Sequence, residues 1–201
     1  MNNRLEGICY ASSLVEQIDQ QIKRVRWTSE KIDRKFAKRS GKEILEEGET
    51  FYMNPCLDLT LATAALMRRD TINYQMAIEE HDKTEKMPFN HVHFALEFSD
   101  RTGSYFINFK TMEIVQIGRE NYLGRPDIPQ VQLFRIDGSK IDPAKSLSQN
   151  LGFTSIEETL RKLFHGYQIT PHIEKLKRDN TPKKFEEYEK ETSKNLKVII
   201  V

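Results

Sequence analysis

The sequence predicts an α+β fold in which a central helix, with a cysteine at its start, packs on an antiparallel β-sheet between N- and C-terminal helices. Three observations predict it. Apolar residues recur at helical spacing near both ends of the chain and within the stretch Met53 to Asp70. Period-two alternation takes over after Asp70 and runs to about Asp137. These patterns come in blocks, not in the strand–helix alternation of a parallel sheet. One domain over residues 1–170 is expected, with a charged helical extension over 171–201 packed on it or partly loose.

Leu14, Ile18, Ile22 and Val25 mark a first helix from Tyr10 to about Arg26. Thr28 or Ser29 can cap a second, running to Gly41 as its C-terminal glycine. "KEILEEG" reads as a third, short helix that stops at Gly48. In the helix after Pro55, Leu57, Leu61, Ala64 and Ala65 form a stripe, and Leu59, Ala62 and Leu66 widen it. A helix this apolar belongs at the centre of a domain. "INYQMAIEE", "HVHFALEF" and "SYFINFK" alternate as half-buried strands, with "SDRTGS" as a hairpin turn between the last two. "EIVQIG" and "VQLFRID" suggest further strands, separated by the proline-bearing loop "RENYLGRPDIPQ". "FTSIEETLRKLF" starts with a capping signature, Thr154 or Ser155 before Glu157 or Glu158, and "LKVII" suits an edge strand.

The 201 residues carry a net charge of +1, which gives no general attraction to nucleic acid or an anionic membrane. No apolar run is long enough to span a bilayer, and the first residues lack the apolar segment of a signal peptide. A cytoplasmic protein is expected, with Cys9 and Cys56 as reduced thiols. No nucleotide-binding glycine motif, nucleic-acid signature or cofactor box is present, so no cofactor is expected. Nine Lys and Arg stand against Glu30 and Asp33 between Lys23 and Lys42, as a solvated face or as a contact for an acidic partner.

The chemistry centres on Cys56. Asn54 can cap its helix, Pro55 suits the first helical position, and Cys56 comes second. Unpaired first-turn amides and the helix dipole both favour a thiolate there. The plain alternative is a small buried thiol. A thiolate enzyme also needs a base and a group to orient it. His91 and His93 share one face of their strand, and either could serve. If the hairpin pairs residues whose numbers sum to an odd value, His93 lies on the same side as Asn108, across from it or one diagonal away. A metal-binding alternative uses the His91-x-His93 pair with Cys56, His81 or Asp82. Cys9 reads as structural, and His165 and His172 as helix-end residues.

From Asn54 to Thr111 these residues resemble the transglutaminase-like superfamily of cysteine hydrolases and acyltransferases. "CLDLTLATAALMRRDTINYQMAIEE" is similar to its cysteine helix and following strand, "HFALEF" to its histidine strand, and "INFKT" to its third motif. Asn108 stands where that motif usually has Asp, and Asn-Pro where a glycine usually precedes the cysteine. The resemblance implies a Cys56–His93–Asn108 triad acting on a protein, peptide or other amide substrate, with water or an amine as acceptor. It implies the Cys56 amide as one oxyanion donor, with Tyr52 or Asn54 as a second. Its alternative is a catalytically idle interaction module on the same fold.

Overall fold

The computed structural model describes residues 6–69, 73–81, 91–99, 103–109, 113–117, 130–164, 167–191 and 197–200. Helix α1 (Glu6–Gln21) ends a turn before the apolar spacing suggests. The chain leaves it as β1 (Lys23–Val25), which needs a partner for its backbone and finds one further along. Helix α2 (Ser29–Lys35) starts where Thr28 Oγ1 accepts the Lys31 N–H at 3.2 Å. It ends at Phe36, well before Gly41. Gly41 instead opens α3 (Gly41–Glu47), behind a capping box formed by Ser40 and Glu43.

The reason for Gly41 is space. A Cβ there would collide with the backbone carbonyl of Leu61 and stand 3.2 Å from the Ala65 Cβ, both on α4 (Cys56–Arg69). The glycine therefore marks a close helix–helix approach, not a helix end. Gly48, at φ 64°, is the left-handed terminus that the sequence expects for the short helix. It turns the chain into β2 (Glu49–Phe51), which pairs in parallel with β1, and its carbonyl accepts the Lys23 N–H at 2.9 Å.

The main sheet contains β3 (Tyr74–His81), β4 (His91–Ser99), β5 (Ser104–Asn108), β6 (Glu113–Ile117), β7 (Gln130–Asp137) and β8 (Lys197–Ile200). Their order is β7-β3-β4-β5-β6-β8, antiparallel throughout except for the β6–β8 pair. The fold is α+β. Ser99 pairs with Ser104 and Leu96 with Ile107, so the hairpin adopts an odd-sum register. The turn between them and the segment "RENYLGRPDIPQ" lie largely outside the described residues.

The sheet has two unlike faces. On the first, Met76, Ile78, Phe94, Leu96, Phe98 and Ile107 join α1 and α4 in the main core. On the second, Ala77, Ala95 and Phe106 form a small separate cluster with Val115 and Leu133 against it. Helix α4 is buried at every position from Cys56 to Met67, as its near-continuous apolar surface requires.

After β7 come α5 (Leu147–Asn150), α6 (Ile156–Leu163), α7 (Thr170–Asp179) and α8 (Pro182–Glu191). Ser155 caps α6 by accepting the Glu158 N–H at 3.1 Å. The segment from residue 171 to 191 docks on the rest of the chain. His172 and Leu176 are buried, Asn180 Nδ2 donates to the Trp27 carbonyl, and Phe185 lies 4.9 Å from Tyr52. Part of the basic stretch is paired with acids that follow it. Lys31 pairs with Glu49, Lys35 with Glu47 at 2.8 Å, and Lys42 with Glu46 at 3.7 Å. Among the described residues, no helix is long and apolar enough to cross a membrane.

Replacing Gly41 by alanine should force α3 off α4. We expect Gly41→Ala to cost about 2–3 kcal/mol of stability, measured by urea denaturation. Alanine at the unobstructed neighbour Lys42 should leave stability within about 0.5 kcal/mol.

Candidate active site at the start of the central helix

The Pro55 carbonyl accepts the Leu59 N–H at 2.9 Å, so Pro55 is the residue that starts α4 and Cys56 the first inside it. This is one position earlier than the sequence suggests for both. Asn54 then falls just outside the helix, and its amide reaches two other side chains. Cys56 Sγ donates to Asn54 Oδ1 at 3.0 Å, and Asn54 Nδ2 lies 2.9 Å from His172 Nε2, donating when that nitrogen is unprotonated. A thiol, an amide and an imidazole are thus linked in series. Two come from the start of α4 and one from the first turn of α7.

Packing holds the imidazole in place. His172 is 8 % exposed, and its ring stacks on Phe36 with centroids 6.4 Å apart. Phe36, Ala37, Asn54, Leu57, Tyr167 and His172 line a cavity of about 20 Å3, room for a water molecule and little more. Ala37 sits in the left-handed region at φ 56°, a strained conformation for a residue with a Cβ and one that concentrates at functional sites. Burial pushes the Tyr167 hydroxyl well above the ordinary phenol range. Negative charge on Cys56 and Glu80 adds to this, and the Val92 backbone opposes it. Tyr167 therefore stays a neutral hydroxyl.

Charge near the thiol is managed by an ion pair. Asp58, in the first turn of α4, is 6 % exposed and pairs with Arg39, which is 5 % exposed. Thr50 Oγ1 donates to the same carboxylate at 2.8 Å, and Arg39 also bonds Glu47 at 2.7 Å and the Glu49 carbonyl at 3.0 Å. The guanidinium carbon lies 4.8 Å from the Trp27 ring centroid. Burial pushes the Asp58 carboxyl up, and Arg39 and Thr50 pull it back.

The structure does not bring His93 or Asn108 to Cys56. Strand alternation explains it. Helix α4 covers the face of Phe94 and Leu96, whereas His93 shares the opposite face with Ala95. The β4–β5 register ends at Leu96–Ile107, and strand alternation puts Asn108 on the same second face as Phe106. Both are buried there, at 4 % and 2 % exposure. His91 occupies a register position of the same parity in β4. The histidine–asparagine relation expected from the hairpin is therefore present, but on the side of the sheet away from the sulfur. Tyr52 packs between Phe185 and Tyr188. Cys9 is exposed on α1, which corrects its structural reading. Among the described residues, no three His, Cys, Asp or Glu side chains converge on a metal position. Asp82 and His165 lie outside those residues.

No protein-family model, curated protein or solved structure matches this chain.

Sequence reasoning passed over His172. The signal for it was its place in an otherwise apolar helical stripe, between Ile169 and Leu176. A histidine held inside such a stripe needs a polar partner, and Asn54 supplies it.

Truncating Asp58 strands the Arg39 charge in the core. Asp58→Ala should cost about 3–5 kcal/mol, read by urea denaturation. Adding Arg39→Met should recover much of that loss, a coupling that two independent sites would not give.

Proposed function

We propose that the chain is a thiol-dependent acyl-transfer enzyme, of the kind its cysteine helix resembles, with Cys56 as nucleophile and His172 as proton acceptor. The observation that carries this reading is the hydrogen-bonded series Cys56–Asn54–His172 at the start of a buried helix. His172 takes the role that the resemblance implies for His93.

Asn54 suits both protonation states of such a pair. With Oδ1 towards the sulfur, it accepts from the neutral thiol and donates to the neutral imidazole. Rotated by half a turn about its last bond, the same amide donates Nδ2–H to a thiolate and accepts Nε2–H from an imidazolium. The proton travels from sulfur to His172 through a water in the adjoining cavity. The thiolate then attacks an amide carbonyl: a carbon–sulfur bond forms and the carbonyl electron pair moves onto oxygen. First-turn amides and the neutral Tyr167 hydroxyl are the donors available to that oxyanion. On collapse the carbon–nitrogen bond breaks and the leaving amine takes the proton from His172. Water or an acceptor amine, deprotonated by His172, then releases the acyl group from sulfur.

One observation favours a second reading, a catalytically idle interaction module: Cys56 is only 2 % exposed, which leaves a substrate little access to the sulfur.

Both readings are tested by iodoacetamide alkylation of a Cys9→Ser background, followed by intact mass. For an enzyme, Cys56 reacts near neutral pH in the folded protein. His172→Ala slows this about tenfold, by removing the proton acceptor, while His93→Gln leaves the rate unchanged. Alkylation that begins only at denaturant concentrations that unfold the chain overturns the catalytic reading and leaves the idle module.

A further inference from the structure

Helix α7 buries His172 and Leu176, whereas no residue of α8 is buried. Phe185 and Tyr188 of α8 are half-buried against the Tyr52 ring, with centroids 4.9 and 5.1 Å away. Polar contacts add to this seam. Asn180 Nδ2 donates to the Trp27 carbonyl, Arg26 Nε to the Asn180 carbonyl at 3.3 Å, and Arg24 Nη1 to the Tyr188 hydroxyl at 3.2 Å. Lys177 reaches Asp33 at 2.6 Å, but Asp33 is 57 % exposed, and a pair so open to water contributes little.

The seam also has a cost. Tyr52 Oη and Asn180 Oδ1 are buried, in residues 5 % and 7 % exposed, and neither atom has a hydrogen-bond partner. Both residues lie where the helices meet the rest of the chain: Tyr52 packs on α8, and Asn180 ends α7. A buried polar atom without a partner favours any state in which water reaches it. Separating α7 and α8 from the body hydrates both atoms.

We propose that α7 and α8 undock together from an otherwise folded body, and that docking is what assembles the Cys56–Asn54–His172 series. Asn54 and Cys56 belong to the body and stay with it. His172 belongs to the first turn of α7 and leaves with that helix, which breaks its 2.9 Å contact with Asn54 Nδ2. The body keeps its own fixings. The Arg39–Asp58 pair, the approach of α3 to α4 at Gly41 and the sheet involve neither helix. The chain rejoins the sheet at β8, so the undocked helices remain tethered at both ends. As a switch on thiol chemistry this rests on the reading above; the docking equilibrium itself does not.

Hydrogen exchange of the full chain, read by mass spectrometry of its peptides, measures undocking without reference to the thiol. Amides of residues 170–191 should exchange together, at least about a hundredfold faster than those of β3, β4 and β5. Tyr52→Phe removes the partnerless hydroxyl and keeps the ring, so it should slow that exchange about fivefold. Phe185→Ala should speed it at least about tenfold and leave the sheet peptides unchanged. In the same variant, imidazole NMR should show the His172 signal moving towards that of an exposed histidine, with the His93 signal in place. Exchange of α7 and α8 at the rate of the sheet overturns the proposal, as do unrelated rates for the two helices or a Tyr52→Phe variant that fails to slow exchange. A His172 signal that stays put while Phe185→Ala speeds exchange overturns the link between docking and the series. None of these outcomes depends on Cys56 reactivity, so failure of the catalytic reading is seen separately, in the alkylation experiment.

Discussion

The buried pair between Arg39 and Asp58 fixes the part of the molecule on which the rest is arranged. Arg39 sits between α2 and α3, under Trp27, and reaches the Glu49 carbonyl at the start of β2. Through Asp58 it holds the first turn of α4. One guanidinium thus ties the small parallel pair β1–β2, the helix α3 and the central helix into a single unit. The same contact acts on the electrostatics of the sulfur. A carboxylate two residues from Cys56 would oppose a thiolate, and Arg39 offsets that charge where water cannot screen it. The close approach of α3 to α4 at Gly41 seats the helix from another side.

The C-terminal helices complete this arrangement. Helix α7 is held by the Asn180 amide at the Trp27 carbonyl and by Lys177 at Asp33, 2.6 Å away. It thereby carries His172 to Asn54, although 118 residues separate them. The charged segment that looks like an accessory from its composition therefore forms one wall of the candidate site. Tyr167, Ile169 and His172 line the cavity next to Asn54.

The sheet works as a partition. Each of its strands sends alternate residues to opposite sides, so a polar residue placed one position along changes compartment. Glu80 faces the core with Val92, while Glu79 faces the other side with His93. Two polar groups result from one pair of strands. One gathers around the start of α4, and the other lies on the second face with Asn108.

The sequence by itself determined the α+β class, most of the elements, and the burial of α4. These follow from local periodicity and from helix ends such as Thr28 and Gly48, which act within a few residues. The hairpin parity was left open between odd and even sums along the chain, and the structure chose the odd one. Two further things were decided only by the tertiary structure. Which face of the sheet α4 covers is not encoded in the alternation of β4, because both faces of its central part are buried: Phe94 and Leu96 on one, His93 and Ala95 on the other. Which histidine meets Cys56 depends on how α7 docks, a matter of long-range packing that no local spacing expresses. Gly41 illustrates the same limit, because a glycine required for the approach of a distant helix looks, along the chain, like one that ends its own.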